Sequence, residues 1–154
     1  MNKKNLLKLI ESEGDDKSWV YTAKNGVKIQ CSIHRSPILI LCGYIHINRD
    51  NSLWGMCYDD VYKYDIDVHG GLTYHGAYDG YDDNTWTLGF DCGYHGDLVP
   101  YYVANDHLYN ILDVSGTYRD MVYVINEVEQ LAEQVSKYSL SEMRVKKIDN
   151  LINQ

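Results

Sequence analysis

Basic residues are scarce in this chain: 14 Lys and Arg stand against 22 Asp and Glu, for a formal net charge of −8. A protein that grips nucleic acid through its phosphates needs a basic face, and no Lys/Arg stripe is present, so direct nucleic-acid binding is excluded as the main activity. Proline occurs twice and phenylalanine once, so there is no proline-rich linker, and tyrosine carries most of the aromatic packing. Long apolar runs are missing too. The longest, Pro37-Ile38-Leu39-Ile40-Leu41-Cys42, is far short of the roughly 20 residues that span a bilayer and reads as a buried strand. Met1-Asn2-Lys3-Lys4 leads into no apolar segment of a secretory signal. The expectation is a cytoplasmic protein without membrane contact.

The four cysteines (Cys31, Cys42, Cys57, Cys92) form no C-x-x-C pair, which argues against a zinc ribbon or a thioredoxin-type motif. They are expected as reduced thiols. At 154 residues, with 45% hydrophobic content, the chain is the size of one domain covering residues 1–154.

Periodicity supplies the elements. Leu6, Leu7, Leu9 and Ile10 lie at near-helical spacing and predict a short helix over Asn2 to Glu13, ended by Gly14. Ser18 to Ala23 and Val27 to Ile33 alternate across Asn25-Gly26, a pair that favours a two-residue hairpin turn with both residues at positive φ. Ile38 to Ile47, Val61 to Val68 and Thr85 to Phe90 read as further strands, and the Gly/Asp/Tyr-rich stretch His69 to Asp83 as non-helical. Thr117 with Asp120 resembles an acidic capping box ahead of a helix whose apolar face carries Met121, Ile125, Val128, Ala132 and Val135. Ser139 with Glu142 repeats the signature for a last helix to about Ile152. The sum is an α+β fold: a mixed or antiparallel sheet of about five to six strands, a short N-terminal helix and two C-terminal helices.

The polar stretch His69 to Asp97 holds the residues that could carry chemistry. A strand runs to Val68 and is followed by His69-Gly70-Gly71-Leu72-Thr73, where paired glycines allow a sharp turn and close approach of backbone amides to an anion. The strand Thr85 to Phe90 is followed by a Gly-rich turn, Asp91 to Asp97, that holds Asp91, His95 and Asp97. If the two strands are neighbours, His69, Asp91, His95 and Asp97 meet. They could then hold a divalent metal or act as a general acid/base pair. The spacing matches no zincin, EF-hand, Walker or nucleophile-elbow pattern. The bland reading is that these Gly and Asp residues build tight turns, with Asp91 capping its own turn. Tyr58, Tyr62, Tyr64, Tyr74, Tyr78, Tyr81, Tyr94, Tyr101 and Tyr102 gather around the same region and offer stacking faces with polar tips.

The ordered set Cys42-Gly43-Tyr44, Tyr58-Asp59-Asp60, Val68-His69-Gly70-Gly71-Leu72-Thr73-Tyr74, Gly89-Phe90-Asp91-Cys92 with His95-Gly96-Asp97, and Tyr118-Arg119-Asp120 ahead of Tyr123-Val124 resembles a family of small proteins common in bacteriophage and prophage genomes. The resemblance spans about residues 35–137. It implies provenance: small accessory phage proteins often counter host defence, so the host-cell cytoplasm is the implied setting. Three functions are carried forward. The first is capture of a small nucleotide-like ligand by His69, Gly70, Gly71, Thr73, Trp86, Asp91, His95, Asp97 and Arg119, with Trp86 or a tyrosine stacking on the base and Arg119 supplying charge. The second is a metal-dependent phosphoesterase that uses His69, Asp91, His95 and Asp97. The third is an acidic inhibitor of a host defence protein acting through Asp59, Asp60, Asp79, Asp82 and Asp83. A homo-oligomer with its pocket between subunits fits the aromatic content.

Overall fold

The structure is a computed structural model that describes residues 2–105 and 115–153. Five strands form one antiparallel sheet: β1 Asp16–Thr22, β2 Lys28–Arg35, β3 Leu41–Ile47, β4 Tyr74–Gly76 and β5 Trp86–Asp91. Their spatial order is β1-β2-β3-β5-β4, so the late strand β5 lies inside the sheet and the three-residue β4 forms an edge. The helices are α1 Lys3–Glu13, α2 Tyr58–Val61, α3 Pro100–Ala104, α4 Met121–Ser136 and α5 Leu140–Ile152, with a 3-10 turn at Tyr62–Tyr64. This is the α+β architecture that the periodicity predicts.

The core lies between one sheet face and α4. Side chains alternate along a strand, so Ile29, Cys31 and Ile33 of β2, Leu41 and Ile45 of β3, and Leu88 and Phe90 of β5 all point to this face. The 3.6-residue period of α4 answers with Val124, Val128, Leu131, Ala132 and Val135. Gly43 sets how closely the layers approach: a Cβ there would stand 2.6 Å from Val128 and 2.7 Å from Phe90. The polar residues of α4 secure its flanks. Glu129 accepts from Trp19 Nε1 and Glu133 accepts from the Tyr21 hydroxyl, both at 3.3 Å.

A second anchor ties α1 to the body. Arg35 is buried, and its guanidinium donates to the Gly14 and Leu39 carbonyls, the Tyr118 hydroxyl and Glu13. Glu13 in turn accepts from Tyr118 Oη at 2.6 Å and from the Met121 amide at 2.6 Å. Leu6 and Ile10 of α1 pack with Val103, Leu98 and Tyr118 in a small core of their own. Sequence patterning marks the apolar residues here but gives no sign of the buried arginine.

Four local expectations change. The β1–β2 turn is a three-residue loop: Gly26 N–H donates to Ala23 and Ala23 N–H to Val27, and only Gly26, not Asn25, takes positive φ. That is the longer hairpin class in which a glycine closes a type I turn. Ile38 to Ile40 belong to the β2–β3 turn rather than to β3. Pro37 opens the turn, and Leu39 adopts φ 68° in a place that usually favours glycine. Val61 to Val68 is not a strand, although Ile66 and Val68 are buried and alternate with exposed neighbours. The Gln134 side chain of α4 takes the place of a partner strand: its amide oxygen accepts from Asp67 N–H and its amide nitrogen donates to Asp67 O, both at 2.7 Å. Finally, Asp120 itself caps α4, accepting from Tyr123 N–H at 2.9 Å, while Thr117 pairs with Asp97 as an isolated bridge. The last helix begins at Leu140, as predicted; the Glu142 side chain lies outside the described residues.

Candidate functional site

At the N-terminal end of α4 three segments converge. The stretch held by Gln134 delivers His69, the turn after β5 delivers Asp97, and the approach to α4 delivers Arg119. The Asp97–Thr117 bridge fixes the last two: Leu98 N–H donates to Thr117 and Thr117 N–H to Gly96, both at 2.9 Å. Gly116 has no room for a side chain here, since a Cβ would lie 2.7 Å from the Gly96 carbonyl.

The resulting network is closed on its inner side. His69 Nε2 lies 2.7 Å from Asp97 Oδ2, and Nδ1 lies 2.8 Å from the Tyr123 hydroxyl. Asp97 Oδ2 also accepts from the Tyr94 amide at 3.0 Å, and Oδ1 accepts from Arg119 Nε at 2.9 Å. The Asp97 side chain is 1% exposed and that of His69 9%, so the carboxylate is surrounded and its charge is balanced by Arg119. A carboxylate can only accept, so the neutral imidazole carries its proton on Nε2 and accepts from Tyr123 through Nδ1. The His69 amide donates to Glu127 at 3.2 Å. Burial, and then the Glu127 charge, push the Tyr123 phenol up, keeping it neutral. The hydrogen bond to Asp97 raises the Arg119 guanidinium further.

Chemically, this arrangement leaves no ring nitrogen of His69 free to take a proton from a substrate, as a general base must. The open valence belongs to Arg119. Its Nε is used by Asp97 and its plane lies 4.8 Å from the Tyr123 ring centre, while its terminal amino groups make no hydrogen bond among the described residues. Beside it lies the Gly70-Gly71 turn, with both residues at positive φ. Gly70 backs onto Tyr94, where a Cβ would come within 3.0 Å, and Tyr94 is 60% exposed. The Tyr62 hydroxyl closes the other side of the turn, accepting from the Leu72 amide.

The remaining predicted residues fall elsewhere. Asp91 accepts from Thr73 Oγ1 at 3.2 Å and from the Gly93 amide at 2.9 Å, so it caps its own turn. His95 is exposed and takes no part in the His69–Asp97 network. Trp86 begins the strand that Asp91 ends, about 17 Å away at strand rise; its Nε1 donates to the Met56 carbonyl at 2.9 Å and its ring stacks on His75. Among the described residues no three His, Cys, Asp or Glu side chains converge as a metal site requires. Tyr94, one of the nine tyrosines that the sequence gathers around this region, belongs to the site; Tyr123 and Glu127 belong to it without being singled out by sequence, and the pair Arg119 and Tyr123, four apart and bracketing a helix start, is the signal that points to the phenol.

The tyrosines disperse over several clusters. Tyr44, Tyr74 and Tyr78 pack together on the sheet face away from α4, Tyr58 lies against His75, and Tyr64 against Tyr138. Next to the first cluster His46 is buried, with Nε2 bonded to Ser32 and Nδ1 to Thr87 at 2.7 Å each, and with Tyr81 stacked on its ring at 3.7 Å. An open groove of about 810 Å³ begins there, at the C-terminal end of α4, lined by Val20, Gln30, His46, Asn48, Asp82 and Ser139 among others. Asp59 and Asp60 are exposed on α2, while Asp79, Asp82 and Asp83 are exposed on the loop between β4 and β5. All four cysteines are free thiols, and burial pushes Cys31 up to about 12 and Cys42 up to about 11, far from reactive thiolates. No helix among the described residues is long and apolar enough to cross a membrane. No family model, curated protein or solved structure matches the chain.

Proposed function

We propose that the protein captures a small, phosphate-bearing, nucleotide-like molecule at the Arg119 end of α4 and holds it without turnover. The observation that carries this reading is the guanidinium of Arg119, clamped through Nε by a buried carboxylate, backed by an aromatic ring, and with its terminal donors unpaired among the described residues. A planar fork already fixed in position loses little freedom on meeting a phosphate, which favours tight binding. In a chain of net charge −8 an anion needs such a local receptor. The first amides of α4 do not compete for this role, since Glu13 and Asp120 already occupy those of Met121 and Tyr123. At the Gly70-Gly71 turn the Gly71 amide is taken by the Val68 carbonyl and the Leu72 amide by Tyr62, which leaves the Gly70 amide, and the exposed Tyr94 offers a face for a base.

The absence of a free base on His69 and of converging metal donors weighs against the phosphoesterase among the described residues. The resemblance to phage proteins makes sequestration of a host signalling nucleotide the natural setting for capture.

The test is to incubate the protein with a panel of cyclic and linear nucleotides, remove free ligand, denature, and identify what is released by mass spectrometry. Intact nucleotide retained by the wild type and weakened roughly 10- to 100-fold by Arg119→Gln supports the proposal. Product accumulating beyond one per protein means an enzyme. If no nucleotide is retained or altered, the reading is overturned and the exposed acids become the better surface to pursue.

A further inference from the structure

The two edges of the sheet differ in length. β4 offers an edge of 3 residues, while β1 offers one of 7, Asp16–Thr22, paired one-to-one with β2 without a bulge. Beyond both ends of β1 the ladder is pinned by printed bonds: Arg35 N–H donates to the Asp15 carbonyl and Ala23 N–H to the Val27 carbonyl. Backbone groups alternate sides along an antiparallel strand, so Lys17, Trp19 and Tyr21 also turn theirs toward β2. The N–H and C=O groups of Asp16, Ser18, Val20 and Thr22 therefore turn outward, and none of them meets a partner among the described residues. All four residues are exposed, Val20 to 56%. Edge strands are usually blunted by shortness, proline, a bulge or charge, and of these β1 has only Lys17 and the acid at its start.

This edge is complementary to itself. A second copy laid antiparallel, with the twofold axis at Trp19, pairs Asp16 with Thr22 and Ser18 with Val20 across the junction. In that register every outward residue of both copies is matched; a shift of two residues either way leaves Asp16 or Thr22 without a strand partner. Charge fits the same register. The edge begins at the exposed acids Asp15 and Asp16 and ends at the exposed Lys24, and the antiparallel arrangement brings each end against the other. On the α4 side Lys17 comes opposite Tyr21 of the second copy, whose hydroxyl is bonded to Glu133, so the guarding lysine meets an acid. Trp19 faces its own counterpart at a non-hydrogen-bonded pair, where side chains of an antiparallel ladder approach most closely.

We infer that β1 pairs with β1 of a second copy of this chain, joining the two sheets into one continuous sheet about a twofold axis. The contact is isologous and uses up the long free edge of each copy, so the assembly closes at two. The inference does not rest on ligand capture.

Sedimentation velocity and residue-resolved amide hydrogen exchange on the full chain test it. The expected result is a dimer in which the Ser18, Val20 and Thr22 amides exchange slowly. On dilution to monomer these three become fast, while the Trp19 and Tyr21 amides, bonded to β2, stay protected. Val20→Pro removes an outward donor without touching the β1–β2 ladder and weakens the dimer roughly 100-fold. Ser18→Lys with Val20→Lys sets like charges opposite each other across the axis and tests the same contact without proline. It gives a monomer with an unchanged circular dichroism spectrum, since both side chains are already in water within one chain. A monomer at every concentration overturns the inference. So does a dimer whose Ser18, Val20 and Thr22 amides exchange freely, or one indifferent to the paired lysines, because its contact then lies elsewhere.

Discussion

Two histidines sit near opposite ends of α4, each with both ring nitrogens bonded, and they differ in what bonds them. His46 lies between the hydroxyls of Ser32 and Thr87. His69 lies between the carboxylate of Asp97 and the phenol of Tyr123. A hydroxyl can donate or accept by rotating, so the His46 node tolerates either tautomer and carries no charge. A carboxylate only accepts, so the His69 node has one polarity and recruits a cation, Arg119, to balance it. The same side chain therefore knits three strands in one place and holds a guanidinium in readiness in the other.

The largest effect that separates the two nodes comes from Asp97→Ala. It strips three donors of their acceptor and leaves Arg119 and the Tyr94 amide unpaired. We expect a loss of about 3–4 kcal/mol in urea denaturation, together with loss of nucleotide retention. His46 gives the next effect, through pH. Burial lowers its pKa to about 4, so the folded state keeps the ring neutral while the unfolded chain takes up a proton near its ordinary value of about 6.5. The contribution is present above that ordinary value and is lost as pH falls toward about 4. Between about pH 7 and about pH 5 the loss is about 2 kcal/mol. Denaturant titrations across this range will show a steeper decline for the wild type than for His46→Gln; parallel declines would remove the distinction drawn here.

Smaller effects sharpen the comparison. Thr87→Val leaves Nδ1 of a buried ring without a partner and is expected to cost about 1–2 kcal/mol. Tyr123→Phe removes the corresponding partner of His69 at a half-exposed position, where water can substitute, and is expected to cost about 1 kcal/mol or less. Equal costs for these two would mean that the two nodes share one environment.

The sequence patterns that proved legible are those whose cause is local. Asn2 caps α1 with its own side chain, accepting from Asn5, and Gly14 closes the helix. The alternation through Trp19 and Cys31 follows from one sheet face being covered, and the α4 period from the covering helix. Legibility fails where a distant group replaces a local one. Ile66 and Val68 alternate like a strand because the segment is extended, but its hydrogen-bonding partner is Gln134, 67 positions on from Asp67. In the site, His69 and Asp97 meet as their types suggested, but through a segment held by Gln134 and the turn after β5 rather than through paired strands. Trp86 and Asp91 share a strand and stand at its opposite ends. Tyr123 carries no local mark that sets it apart from the fourteen other tyrosines.

The buried Arg35–Glu13 junction has a consequence in time. Glu13 reaches the Met121 amide across 108 positions, and the apolar neighbours of Leu6 and Ile10 in their cluster, Leu98, Val103 and Tyr118, also come late in the chain. On a ribosome adding about 5–20 residues per second, the first helix therefore waits roughly 5–20 seconds between leaving the exit tunnel and meeting its docking site. Throughout that interval Leu6 and Ile10 are uncovered, so the first segment to be made is among the last to be secured.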